Sequence, residues 1–121
     1  MGVIRYSSAC LTAIDMVQFA SHVGGYNRAA TVLAELMDTV DMQKLPNVFP
    51  YTTSATIQRL GYILEFVLQE QAKADELFLH FKAQTPHYHS ICMSNSQSQN
   101  PDAASNRWHV NMNISIELDD L

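Results

Sequence analysis

Positive charge is scarce in this sequence. Its 121 residues carry seven Lys and Arg against twelve Asp and Glu, a formal net charge of −5, so the long-range field repels a phosphate backbone instead of gathering it. That argues against nucleic-acid binding through this segment. Cysteine is limited to Cys10 and Cys92, too few and too far apart for a disulfide framework. They read as two free thiols and, with no charged-then-apolar leader, point to a reduced, bacterial-type cytoplasm. Long apolar runs are missing too. The most apolar stretch, residues 62–68, is broken by Glu65 and falls far below the roughly 20 residues of a spanning helix. Tyr6 stands where N-myristoylation wants Ser or Thr, so no membrane anchor is expected. Only 16% of the residues are charged while 47% are apolar and 9% aromatic, which excludes the disordered class. A chain of this size can bury roughly two-thirds of its unfolded surface around one core, so a single domain over 1–121 is expected.

The hydrophobic periodicity predicts four helices. Ser7 and Ser8 can cap a first one in which Ala13, Met16, Val17 and Ala20 recur at helical spacing, with Gly24 and Gly25 ending it. Asn27 is the expected N-cap of a second, whose stripe is Ala29, Val32, Leu33, Leu36, Met37 and Val40. Asp41 can cap a short turn through Lys44, and Pro46 and Pro50 make the next stretch a connector. Thr53 or Ser54 starts a third helix, central because Ile57, Leu60, Leu64 and Val67 share a face that Ile63 and Phe66 widen. Gly61 in its middle costs about 1 kcal/mol of propensity relative to Ala, which suggests that another backbone crosses close by. After a polar hinge at 69–73, Ala74, Leu77, Phe78 and Phe81 mark a fourth helix ending before Pro86.

Beyond Tyr88 the period changes to two. His89, Ile91 and Met93 alternate with Ser90 and Cys92, and after a Ser/Asn/Gln-rich loop Trp108, Val110, Met112, Ile114, Ile116 and Leu118 alternate with His109, Asn111, Asn113, Ser115, Glu117 and Asp119. The expectation is an α+β fold: four helices packed on a small antiparallel sheet formed by a C-terminal hairpin, with residues 3–6 as a third strand.

The candidates for chemistry each have a plainer reading. His87, His89, Cys92 and His109 lack the paired spacings of a structural zinc site. Neither cysteine has a sequence-adjacent base to activate it. Asp15, Glu35 and Glu65 could serve as acid–base carboxylates but read as structural, with Asp15 expected to form a partly buried ion pair with Arg59 or Arg28. Gly24-Gly25-Tyr26-Asn27 lacks the spacing and the Lys of a phosphate loop. Arg107 and Trp108 could stack on a base, yet in an acidic chain they read as a core aromatic beside a snorkelling cation. The polar face of the last strand, His109, Asn111 and Asn113 among others, is a solvated surface or a hydrogen-bonding partner surface. No cofactor is implied.

Three blocks in order carry a family likeness. Thr12-Ala13-Ile14-Asp15 precedes Gly24-Gly25 and the Leu33-Ala34-Glu35-Leu36 helix; Arg59-Leu60-Gly61 comes next; Asn106-Arg107-Trp108 leads the last strand. Together they resemble the C-terminal domain of the AbiEi-type antitoxins of type IV toxin–antitoxin systems, over about residues 3–119. The resemblance implies that these are fold-defining positions. It also implies an antitoxin role against a nucleotidyltransferase toxin. Family members commonly have Pro-Glu where this chain has Ala9-Cys10, and no winged helix-turn-helix of the kind that usually precedes the domain is expected within residues 1–121, so operator repression is not assigned to these residues. The leading expectation is a non-enzymatic antitoxin domain acting in a protein network around a nucleotidyltransferase toxin, its relation to that toxin direct or only functional. The alternatives are an oligomerisation or scaffold module pairing an upstream regulator domain, and an enzyme using His87, His89, Cys92 or the carboxylates.

Overall fold

The computed structural model describes residues 8–23, 25–93, 106–111 and 116. Within them the chain is mostly helical: α1 (Ser8–Val23), α2 (Tyr26–Leu36), a 3-10 helix (Leu45–Tyr51), α3 (Ser54–Tyr62) running into a π-helical turn (Ile63–Val67), and α4 (Gln71–Gln84). Two two-residue strands complete the order, β1 (Ile91–Cys92) and β2 (Val110–Asn111).

The helices form where the periodicity places them. Cys10, Ala13, Ile14, Val17 and Ala20 bury one face of α1. On α2 the buried stripe is Tyr26, Ala29, Ala30 and Leu33, with Val32 and Leu36 half-buried. Gly25, not Asn27, stands at its N-cap, and Ala29 N donates to Gly25 O at 3.0 Å. The helix stops short of Val40 because Leu36 O accepts from both the backbone N–H and the hydroxyl of Thr39, closing a tighter turn. Asp41 organises the next turn, accepting from Gln43 N on its side chain and from Lys44 N on its carbonyl. The proline-bearing connector is itself helical, a 3-10 segment that buries Leu45, Val48 and Phe49.

Thr53 caps α3 by accepting from Thr56 N. All six residues from Thr56 to Gly61 are buried, so α3 is central. It packs on α1, α4 and β2. Leu68 N then bonds Ile63 O, one residue farther back than an α-helix reaches, which makes the π turn. Gln69 turns the chain with φ 57°, and α4 covers α3 through Ala74, Leu77 and Phe81.

The expected α+β fold with an antiparallel hairpin is not what forms. β1 and β2 pair in parallel, Ile91 opposite Val110 and Cys92 opposite Asn111. The predicted alternation is broken just ahead of β2. Residues 107–108 form a turn and His109 adopts φ 55°, a left-handed conformation that interrupts an extended strand. Trp108 and Val110 both reach the core, but through that turn and not through continuous alternation. The predicted third strand at 3–6, and most of the predicted last strand, at 112–115 and 117–118, lie outside the described residues. Ile116 packs half-buried against the core.

Both outer edges of the small sheet are occupied by side chains. Arg59 Nε donates to Cys92 O (3.0 Å), and Tyr26 Oη donates to Met93 O just beyond β1 (2.6 Å). On the far side Asn106 grips β2, its Nδ2 donating to Val110 O and its Oδ1 accepting from Val110 N and Trp108 N. Among the described residues, the Cys92, Met93 and Val110 carbonyls and the Val110 N–H are thereby satisfied internally.

Gly61 is approached by a side chain, not by the backbone the sequence suggests. The Trp108 indole lies on it so closely that a Cβ there would overlap the ring. Gly61→Ala should lower the unfolding free energy by about 1–3 kcal/mol, because displacing the indole outweighs the roughly 1 kcal/mol gained in helix propensity. Urea unfolding followed by the emission of the single tryptophan measures this; unchanged emission with equal or higher stability would contradict the contact.

Candidate functional site

Three of the residues that the sequence singles out, Gly61, Arg107 and Trp108, converge on one clamp with Glu65. Gly61 and Glu65 are four residues apart where α3 passes into the π turn, so a flat spot and a carboxylate stand near each other. Trp108 uses both. Its ring, fully buried, rests on Gly61, and its indole N–H donates to Glu65 Oε1 at 2.8 Å. Phe78 meets the indole edge-on with centroids 5.2 Å apart, and Phe81 lies 6.2 Å away.

Arg107 closes the clamp from outside. Its Nε donates to the same Glu65 oxygen at 2.8 Å and its terminal nitrogen to Asp75 Oδ1 at 2.6 Å, while the guanidinium sits 4.8 Å from the Phe78 ring centre. Burial works against the charge of Arg107, but the bonds to Asp75 and Glu65 outweigh it and hold its pKa above the ordinary value. The hydrogen bond from Arg107, seconded by one from Gln71, holds the Asp75 carboxyl below its ordinary value. Behind the clamp, Gln58 Nε2 donates to the carbonyls of His89 and Trp108, both at 2.8 Å, and Tyr88 Oη donates to Arg107 O at 2.7 Å. Two separate chain segments, one of them 50 residues away in sequence, are thus bound to α3 by one amide.

The other singled-out residues are dispersed. Asp15 and Arg28 are exposed on α1 and α2, and neither occurs in the ion pairs among the described residues. The expected Asp15 pairing gives way to Arg59 bonding Cys92 O from a buried position, where burial pulls its pKa down. His109 stacks on Tyr88 with ring centres 4.5 Å apart, and Asn111 is the β2 partner of Cys92. Asn113 lies outside the described residues. Cys10 is fully buried, and burial raises its thiol pKa. His87 and His89 are exposed, and among the described residues no three His, Cys, Asp or Glu side chains converge as metal ligands would. As for chemistry, the clamp commits Glu65 Oε1 and Asp75 Oδ1 to donors of its own, and the buried indole is not available to stack on a base.

Sequence reasoning missed Gln58, Asp75, Asn106 as a capping residue, and the π turn. One signal was available for Glu65: it stands four residues from Gly61 on the same helical stretch, and a buried tryptophan needs an acceptor for its N–H.

Glu65→Ala leaves both the indole N–H and Arg107 without their shared acceptor and should lower stability by about 2–3 kcal/mol, with Glu65→Gln, which keeps an acceptor, losing less. Denaturation curves of the two variants give the order. The Asp75–Arg107 link has a pH signature. Because the folded-state carboxyl pKa is depressed, the contribution is fully present above the ordinary aspartate value and is lost as pH falls through the lowered one. An NMR titration of Asp75 should therefore midpoint lower in the native chain than in Arg107→Gln; equal midpoints would remove the link.

Residues 1–66 match the family model described as the AbiEi antitoxin C-terminal domain. No curated protein matches the chain. No solved structure matches it either. The matched span holds α1, α2, α3 and Glu65, the carboxylate on which the clamp closes, while Arg107 and Trp108 lie beyond it. A family model that covers more than half of the sequence, on a helical frame whose glycine, arginine and carboxylate all have defined structural tasks, fixes the assignment: the chain belongs to the AbiEi antitoxin C-terminal domain family and is an antitoxin domain of a toxin–antitoxin pair.

Proposed function

We propose that this chain is a non-catalytic, cytoplasmic recognition domain of a type IV system, counteracting a nucleotidyltransferase toxin through contact with a protein partner. The observation that carries the reading is the family match over residues 1–66. Two physical features support it. The polar side chains with defined partners, Gln58, Arg59, Glu65, Asn106 and Arg107, bind the chain to itself, which suits a body that recognises with its surface. The net charge of −5 favours a cationic partner over a phosphate backbone. None of the helices among the described residues is long and apolar enough to cross a membrane.

Co-expression is the direct test. Bacteria carrying an inducible nucleotidyltransferase toxin, encoded beside a chain of this family, should regain growth when residues 1–121 are supplied in the same cell. Continued growth arrest, with the chain present in soluble form, would refute a toxin-countering role for these residues. Trp108→Ala should abolish rescue by unfolding the clamp, since loss of a buried tryptophan side chain costs about 3–5 kcal/mol.

A further inference from the structure

Beside the clamp, and sharing Asp75 with it, an open groove of about 750 Å³ runs along the outer side of α4, lined by Gln43, Asp75, Glu76, Leu79 and His80. It adjoins a smaller hollow of about 340 Å³ that shares Gln43 and Glu76 and adds Asp41 and Lys73. Leu79 is 68% exposed in this groove, on a helix whose Ala74, Leu77 and Phe81 are fully buried. A lone exposed leucine is ordinary; one lying in a concavity bordered by carboxylates offers an apolar seat with an anionic rim.

The charge decides the occupant. The two linings carry Asp41, Asp75 and Glu76 against Lys73; Lys73 lies 3.8 Å from Glu70, Lys44 3.9 Å from Asp41 and His80 3.8 Å from Glu76, long surface pairs that leave the rim carboxylates open to a further cation. A second copy of the chain would bring its own charge of −5 to this rim, so self-association is disfavoured there. We propose that the groove is the docking surface for a cationic amphipathic segment of the protein partner, an apolar side chain seated on Leu79 and Lys or Arg side chains facing Asp75 and Glu76. This rests on the antitoxin reading and names the surface it would use. Asp75 gives docking a second consequence. The carboxylate that borders the groove also accepts from Arg107, so an arriving cation competes with Arg107, and occupancy is felt at the Trp108 clamp.

The test uses the full chain and two synthetic amphipathic peptides with identical leucine spacing, one with Lys at the remaining positions and one with Glu. The Lys peptide should shift the NMR amide signals of Gln43, Glu76 and Leu79 and the indole N–H of Trp108, with an affinity that falls as salt rises. The Glu peptide should leave them in place. Combining Glu76→Gln with Leu79→Ser, both outside the clamp, should weaken Lys-peptide binding about tenfold while the circular dichroism stays native. Shifts mapping to Leu11 and Phe19 or to Tyr62 and Phe66 would overturn the assignment, as would equal binding of both peptides, no binding, or binding that survives the double variant. In the growth assay, rescue by the native chain with loss in the double variant supports the groove. Rescue by both overturns the groove and leaves the antitoxin reading standing, and rescue by neither removes that reading while the peptide data decide the groove.

Discussion

A buried indole must satisfy one N–H and find room for the largest side chain in the protein, and in this chain both demands are met at α3 and the π turn at its end. Glycine at 61 provides the room and Glu65 the acceptor. Glu65 then needs a cation for its charge, which Arg107, the residue before the tryptophan, supplies. Each group is acceptable only because the others are present: the carboxylate would be poorly compensated without donors, the N–H orphaned without the carboxylate, and the ring excluded by any side chain at 61. The π turn belongs to the same solution. Adding a residue to a helical turn rotates the residues after it by about 100° relative to a continuous α-helix, and Glu65 sits inside that turn.

The clamp also explains why the sheet is minimal. With Trp108 anchored, Asn106 folds back over the start of β2 and His109 takes a left-handed conformation, so only Val110 and Asn111 pair with β1. Gln58, one turn ahead of Gly61 on the same helix, holds the His89 and Trp108 carbonyls side by side. That pair of bonds favours parallel approach of the two segments, because it fixes the start of both at one place on α3. Arg59 and Tyr26 complete the arrangement by binding carbonyls of residues 92 and 93.

The range of the forces involved decides how much of this was legible in the sequence. Helices were, since apolar spacing and local caps such as Thr53 act within a few residues. Centrality of α3 was readable too, because apolar positions surround it. The sheet was not. Alternation from Trp108 to Leu118 states which residues prefer burial, but strand direction was set by bonds from Gln58, Asn106 and Glu65, each a long-range choice that period two does not encode. At the candidate site, Gly61, Arg107 and Trp108 stood out individually, whereas their acceptors did not. Asp15 illustrates the reverse error: amid apolar neighbours in sequence it looked half-buried, yet its position on α1 faces solvent.

The boundary of the family match sharpens the functional argument. Residues 1–66 end immediately after Glu65, and the groups that satisfy this segment come from beyond it: Trp108 for Gly61, Arg107 for Glu65, the Cys92 carbonyl for Arg59, the Met93 carbonyl for Tyr26. Leu77 and Phe81 of α4 are in the same buried cluster as Leu60 and Leu64. The recognisable half is therefore a frame completed by the other half. Among the described residues, the inner faces of α4 and of 88–93 and 106–111 answer to Glu65, Gly61 and Arg59. The outer face of α4, where Leu79 shares a groove with Asp75 and Glu76, touches that core through the Asp75 bond to Arg107.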